Sequence, residues 1–262
     1  KPCVTREEFN DELRARLEDS IRAHVVADVP VGAFLSGGLD SAVVVGLMTR
    51  VGGHRLRTFS IGFGEAGYSE AENAAATARH LGTDHHPSVL TGADVARDLE
   101  QLLSAFDQPT GDGVNTYYAS RAARAGGVTV ALSGLGGDEL FGGYPSFRDL
   151  PRLAPWLPWW RRLPARVRQS IISRLNRGGT RRRKLADFLQ HARNLGELGS
   201  LQRRVFSESS RRPLLGPDAR AALDGRAPHH PELAALTVDL ADAGVFEVMS
   251  AWELRTYMAD VL

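Results

Sequence analysis

Ser36-Gly37-Gly38-Leu39-Asp40-Ser41 follows the apolar run Val29-Pro30-Val31-Gly32-Ala33-Phe34-Leu35 and precedes Ala42-Val43-Val44-Val45-Gly46-Leu47-Met48, a helix with no polar face. Strand, glycine turn and apolar helix, in that order, decide the reading of the fold. Two glycines let the backbone turn sharply and approach a ligand with no Cβ in the way, while the amides opening the next helix point into the turn. That arrangement holds an anion. Ser36 and Ser41 add hydroxyl donors, but Asp40 would repel a bare phosphate, so its presence makes sense with Mg²⁺ between carboxylate and phosphate. The expected ligand is Mg²⁺ with a polyphosphate, on a loop based on a helix packed against a sheet.

Spacing excludes other loops. A lysine-bearing phosphate loop needs Gly-Lys-Ser/Thr after four variable residues, and a dinucleotide fingerprint needs three glycines; this stretch has neither. A hydrolase nucleophile elbow needs glycines two before and two after the serine, whereas Ser36 has Phe34 before it and Ser133 lies between Ala131 and Leu135. Serine hydrolysis is therefore not expected.

A related stretch follows the apolar strand Val128-Thr129-Val130: Ala131-Leu132-Ser133-Gly134-Leu135-Gly136-Gly137-Asp138-Glu139-Leu140-Phe141-Gly142-Gly143-Tyr144. Two such turns at the carboxyl ends of neighbouring parallel strands would face one crevice, and Asp40 and Asp138 would then share the metal. Taken alone, Asp138-Glu139 also reads as an acidic helix start favoured by the dipole.

Outward from these loops the pattern alternates. Thr5, with Glu8 three residues on, caps a helix to about His24. Strands are expected near 30–36, 56–62, 84–90 and 127–133, and helices near 40–50, 69–81, 92–106 and 115–126. The fold class is α/β, a parallel sheet with helices on both faces. From about Pro145 no strand is expected, and Pro151, Pro155, Pro158 and Pro164 break the chain into short helical pieces. The expected division is a nucleotide-binding domain over 1–148 and a helical subdomain over 149–262.

Ser36 to Ser41 resembles the pyrophosphate loop of the ATP-pyrophosphatase superfamily, and Ser133 to Tyr144 resembles the second signature of asparagine synthetases. Thr58-Phe59-Ser60-Ile61-Gly62-Phe63, Ser69-Glu70 and Leu81-Gly82-Thr83-Asp84-His85-His86 fall in that family's order. The resemblance runs clearly from about residue 5 to 148. It implies an ATP-dependent amidotransferase: a substrate carboxylate attacks the α-phosphate of ATP, pyrophosphate leaves, and ammonia converts the acyl-adenylate to an amide plus AMP. Carried over by position, Leu35, Ser36, Gly37, Gly38, Asp40 and Ser41 hold ATP and its pyrophosphate. Asp40 and Asp138 bind Mg²⁺, and Phe34, Ile61, Ser133 and Gly134 frame the adenosine. Asp112, Asn115 and Glu139 are candidate substrate contacts, although a loop of Gly, Asp and Asn is by default a turn.

Departures from the family pattern bear on the substrate. Leu135 stands where these synthetases commonly have an acidic residue, and a leucine cannot move a proton. Gly111 to Thr116 replaces a stretch whose arginine is thought to hold aspartate. An acid other than aspartate becomes plausible, as does an internal amine acceptor, as in β-lactam synthetases or lasso-peptide cyclases, a nucleic-acid base, or a catalytically incomplete nucleotide-binding fragment. Cys3 is not the nucleophile of a glutaminase domain, so that domain is expected elsewhere in the full-length protein. Trp252 to Met258 resembles the helix before an arginine- and aspartate-rich substrate segment, and the chain is expected to be truncated at Leu262.

The chain has 262 residues, 43% hydrophobic and 24% charged, with one cysteine and a formal net charge of +1, which suits a globular protein without a disulfide framework. Neither a membrane span nor a secretion signal is read, and a cytoplasmic protein is expected. Arg148 to Lys184 holds twelve basic residues against Asp149 alone. The tryptophans there sit among prolines rather than between arginines, so a solvated helical face and a mobile loop near Gly178-Gly179 are expected instead of a nucleic-acid footprint. A docking face for a glutaminase partner and a lid over an anionic substrate are the intermediate readings, and a homodimer is compatible with the resemblance. His85-His86 reads as a strand start and not a metal site.

Overall fold

The computed structural model describes residues 5–52, 55–64, 70–107, 110–224 and 242–259. Cys3, Ser69 and Leu262, singled out above, lie outside the described residues. Contacts divide the chain into two compact units, one running to Leu135 and the other beginning at Gly136.

In the first unit Thr5 caps α1 (Arg6–His24). Its hydroxyl accepts the Glu8 amide at 3.2 Å, and the Glu8 carboxylate accepts the Thr5 amide at 2.8 Å. There follow β1 (Val31–Phe34), α2 (Leu39–Val51), β2 (Arg57–Phe63), α3 (Ala71–Leu81), β3 (Asp84–Leu90), α4 (Gly92–Ser104), α5 (Gly113–Ala125) and β4 (Val130–Leu132). The strands are all parallel in the order β3-β2-β1-β4, with Ala33 opposite Thr58, Thr58 opposite His85 and Val31 opposite Val130.

Alternation along the strands explains how both faces are covered. Ala33 and Leu35 are buried against Ile21 of α1, Val45 and Met48 of α2, and Ala74 and Ala78 of α3. Phe34 and Phe59 turn to the opposite face, against Ala122 and Ala123 of α5. A Cβ on Gly126 would overlap the Phe59 ring, so the glycine ending α5 lets that helix sit down on the sheet. Gly82 closes α3 at φ +69, a left-handed cap that costs glycine nothing. The chain steps from β1 to β2 to β3, then crosses back through α4 and α5 to the far side of β1. The switch in strand order between β1 and β4 is where ligands bind in open parallel sheets.

His85 and His86 lie at the start of β3. The ring nitrogens of His85 lie 3.0 Å from the Thr58 hydroxyl and 3.3 Å from the Ser60 hydroxyl, and burial, helped by His86, lowers its pKa below the ordinary value. His86 stacks on Phe59 at 5.2 Å. Their place at the start of β3 is the one the strand reading expected, and among the described residues no group of three or more His, Cys, Asp or Glu is placed to hold a metal ion.

The second unit is helical, without a strand among its described residues: α6 (Gly137–Phe141), α7 (Ser146–Leu153), α8 (Leu157–Arg162), α9 (Ala165–Asn176), α10 (Thr180–His191), α11 (Leu195–Gln202), α12 (Glu208–Arg211), α13 (Pro217–Leu223) and α14 (Val245–Trp252). A π-helical segment, Glu253–Met258, continues α14. Pro155 and Pro158 sit in the first turns of short helices and Pro164 just before α9, where no helical N–H is needed, but Pro151 lies inside α7 and does not end it, contrary to expectation. The core gathers Leu150, Leu157, Phe188, Leu198, Leu201 and Met249, and Gly199 leaves room for the buried Trp252 indole. Nine of the twelve basic residues from Arg148 to Lys184 are exposed, and Arg168, Arg183 and Lys184 are half-buried. Arg183 donates to the Gly178 carbonyl and the Ser210 hydroxyl, and Lys184 to the Gln202 carbonyl at 3.0 Å. Gly178-Gly179 forms the short turn between those helices. No helix among the described residues is long and apolar enough to cross a membrane.

Candidate functional site

The site begins where β1 ends. Leu35 extends the strand, its amide donating to the Phe59 carbonyl at 2.8 Å, and its side chain is fully buried, so only its carbonyl is left to face a ligand. Gly37 then turns at φ +86; a Cβ there would lie 2.9 Å from Asn73 Cβ and 3.0 Å from the Glu70 carbonyl oxygen, so both conformation and space demand glycine. Gly38 precedes α2 without a side-chain cap, which leaves the first-turn amides of that helix directed into the loop. The serines stitch the turn together. The Ser36 amide donates to the Ser41 hydroxyl at 3.2 Å, the two hydroxyls are 3.1 Å apart, and Ser41 also donates to the Gly38 carbonyl at 3.1 Å. Asp40, half-buried, occupies the first helical turn, where the dipole favours a negative charge.

The second glycine stretch meets this loop within the first unit. A Cβ on Gly134 would lie 2.6 Å from the Ser41 amide nitrogen, 2.9 Å from the Asp40 carbonyl carbon and 3.1 Å from Asp40 Cβ. Ser133-Gly134 at the end of β4 therefore rests on the first turn of α2, across the β1/β4 switch point. Residues almost a hundred apart in sequence share one crevice. The arrangement offers backbone amides, hydroxyls and one carboxylate. It can hold a phosphate chain and, beside it, a hard divalent cation that keeps several ligands from water and phosphate.

Other expected residues are placed as follows. Phe34 and Ile61 are half-buried on the α5 face of the sheet, and Ile61 also lines a cavity of about 280 Å³ with Ser88, Leu90, Tyr118 and Arg121. Arg121 donates to Asp98 of α4 at 2.7 Å and lies 4.6 Å above the Tyr118 ring. Asp112 and Asn115 engage each other at the start of α5, the amide of Asn115 donating to the Asp112 carboxylate at 2.8 Å. Thr110, which sequence reading passed over, takes the Gly113 amide at 3.0 Å and the Asp112 amide at 3.3 Å. Leu135 is 58% exposed at the end of the first unit.

Asp138 and Glu139 belong to the second unit. Their helix, α6, is bracketed by Gly136 at φ +94 and Gly142 at φ +72, conformations that only glycine adopts cheaply. The Asp138 carbonyl accepts the amides of Gly142 and Gly143 at 2.9 and 3.0 Å, and a Cβ on Gly143 would overlap the Asp138 carboxylate. Glu139 is buried, 1% exposed, and accepts the Tyr144 hydroxyl at 2.7 Å. Burial first, then the bond to Glu139, pushes the Tyr144 hydroxyl pKa well up. Glu139 therefore faces the interior of the helical unit rather than a ligand.

The family model for asparagine synthase matches residues 12–262. The glutamine-hydrolysing asparagine synthetase 1 of Bacillus subtilis (strain 168) is 37% identical over 176 residues, 66% of this chain and 27% of that protein. Asparagine synthetase B of Escherichia coli (strain K12) is 35% identical over 158 residues, 54% of this chain and 28% of that one. This chain thus spans less than a third of the curated relatives it matches. Among solved structures, the NH3-dependent NAD synthetase of Campylobacter jejuni aligns over 51% of this chain and 60% of that one, at 16% identity and a TM-score of 0.37. With two Ser-Gly loops at the switch point of a parallel sheet and a family match over nearly its whole length, the chain belongs to the asparagine synthase family.

Proposed function

We propose that this chain is the synthetase part of an ATP-dependent amidotransferase that adenylates a substrate carboxylate, releases pyrophosphate and passes the acyl group to ammonia. The observation that carries the reading is the approach of Gly134 to the first turn of α2, which joins the two signature loops over one anion-binding crevice. In this reading the Ser36 to Ser41 loop holds the departing pyrophosphate through its amides and hydroxyls. Leu35, through its carbonyl, with Phe34, Ile61, Ser133 and Gly134, borders the nucleotide. By the family pattern Asp40 and Asp138 are the Mg²⁺ ligands, and the ion when bound would neutralise phosphate charge. Hard carboxylate oxygens, with no soft or imidazole cluster among the described residues, suit Mg²⁺, which seldom needs an all-protein cage. Asp112 and Asn115 remain the substrate-side candidates, with a glutaminase domain elsewhere in the full protein as ammonia source.

The exposed Leu135 favours a second reading. With no proton-transfer group there, the adenylate would be captured by an amine within the substrate itself, making the protein a cyclase. Carboxylate-dependent exchange of labelled pyrophosphate into ATP, run over a panel of acids in the full-length protein, tests both. Exchange with ammonia uptake supports the amidotransferase and exchange without it the cyclase; no exchange with any acid removes both.

A further inference from the structure

Arg203, at the end of α11, is set in a corner made by two tyrosines. Its guanidinium carbon lies 4.1 Å from the Tyr144 ring centroid and 3.8 Å from that of Tyr257, and the two rings meet edge to face at 89° with centroids 6.1 Å apart. Its Nε donates to Glu253 at 2.8 Å, and Glu253 is 1% exposed. One Arg203 amine nitrogen is buried with no oxygen acceptor among the described residues, so the aromatic faces take the place of one. A largely covered cation fixed by one carboxylate and two rings is rigid, because either ring can leave only by uncovering the charge further.

Tyr144 is the link to the glycine helix. Its hydroxyl holds Glu139 at 2.7 Å, and its neighbour Gly143 lies against the Asp138 carboxylate. Glu139 also acts on Glu253: burial raises the Glu253 pKa, Arg203 opposes this, and the charge of Glu139 adds to it. The path Glu253, Arg203, Tyr144, Gly143, Asp138 is continuous, yet none of its first three members is near Asp138 in sequence except Tyr144.

We infer that Arg203 is a positioning residue for Asp138, clamping Tyr144 so that the carboxylate at the start of α6 is held in one orientation. The inference rests on the reading of Asp138 as a Mg²⁺ ligand. The test uses Mn²⁺ as the probe, titrated with AMP-PNP present and followed by electron paramagnetic resonance, together with deuterium uptake of the 136–144 amides. Arg203→Met is expected to weaken Mn²⁺ binding about 10-fold, the low end of what losing an outer-sphere partner costs, and to raise uptake in 136–144. Arg203→Lys, which keeps the charge but not the planar stack, should fall between it and the parent. Tyr257→Leu removes one wall while leaving the Glu253 pair, and gives the same answer should Arg203→Met fail to fold. Folded variants with Mn²⁺ affinity within twofold of the parent and unchanged uptake overturn the positioning role alone. Unchanged affinity in Asp138→Asn overturns the metal assignment and this inference with it.

Discussion

Gly134→Ala is the sharpest perturbation of the crevice. The added methyl would sit 2.6 Å from the Ser41 nitrogen and 2.9 Å from the Asp40 carbonyl carbon, against an ordinary contact of about 3.4 Å or more, so roughly 0.8 Å of separation is required. The atoms it meets are main chain in the first turn of α2, which is anchored by Val45 and Met48 in the core and cannot swing aside like a flexible side chain. Overpacking of this kind costs about 1–3 kcal/mol, and in a chain of this size each kcal/mol lowers Tm by about 2–4 °C. Binding should suffer more than stability, because the loops separate at the phosphate crevice itself. We expect at least a tenfold loss of AMP-PNP affinity by calorimetry with a Tm fall of roughly 2–12 °C. Gly92→Ala, at a helix start with open space around the new methyl, is the control and should leave both unchanged. Gly134→Ala with the parent's affinity would refute the claim that this contact forms the ligand site.

Three further outcomes follow from other contacts. Glu253→Ala leaves the Arg203 charge uncompensated; since Arg203 keeps about a quarter of its exposure, the loss should be near the lower end of the buried-pair range, about 3 kcal/mol in urea unfolding, with less than 1 kcal/mol contradicting the account. Asp94 sits in the first turn of α4, which Thr91 caps, and is held at about 2, below the ordinary value of 3.8, first by the Thr91 hydroxyl and then by Arg97 and the Thr91 amide. Its contribution is present above pH 3.8 and is lost as pH falls toward 2, so Thr91→Val should raise the Asp94 pKa seen by NMR and flatten that part of the acid melt; an unchanged pKa would show that the cap does not hold it. His85 is kept neutral by burial, so the unfolded chain takes up the proton first and stability falls as pH drops below 6.5; His85→Gln should remove that slope from the urea midpoint, and a slope that survives would place its origin elsewhere.

The first unit was legible because its signals are local. Apolar runs, the Thr5 capping box and paired glycines each act within a few residues, and the strands and helices lie close to the expected positions. The meeting of Gly134 with Ser41 was legible only as a rule about parallel strands; the contact itself depends on β4 lying beside β1. Side-chain direction was less accessible. The Leu35 side chain is core, which leaves only its carbonyl to a ligand, and the bond between Asn115 and Asp112 was not readable from their three-residue spacing. Glu139 read as an acidic helix start because nothing nearby shows that Tyr144 will cover it. Arg203 and Glu253 are fifty residues apart, and a pair formed by helix packing leaves no spacing to read.

The most direct test of the central claim is a crystal structure of the chain with AMP-PNP and Mg²⁺. The account expects the β- and γ-phosphates on the amides and hydroxyls of residues 36–41, with Ser133-Gly134 alongside. Phosphates seated away from residues 36–41, with that loop left empty, would contradict it.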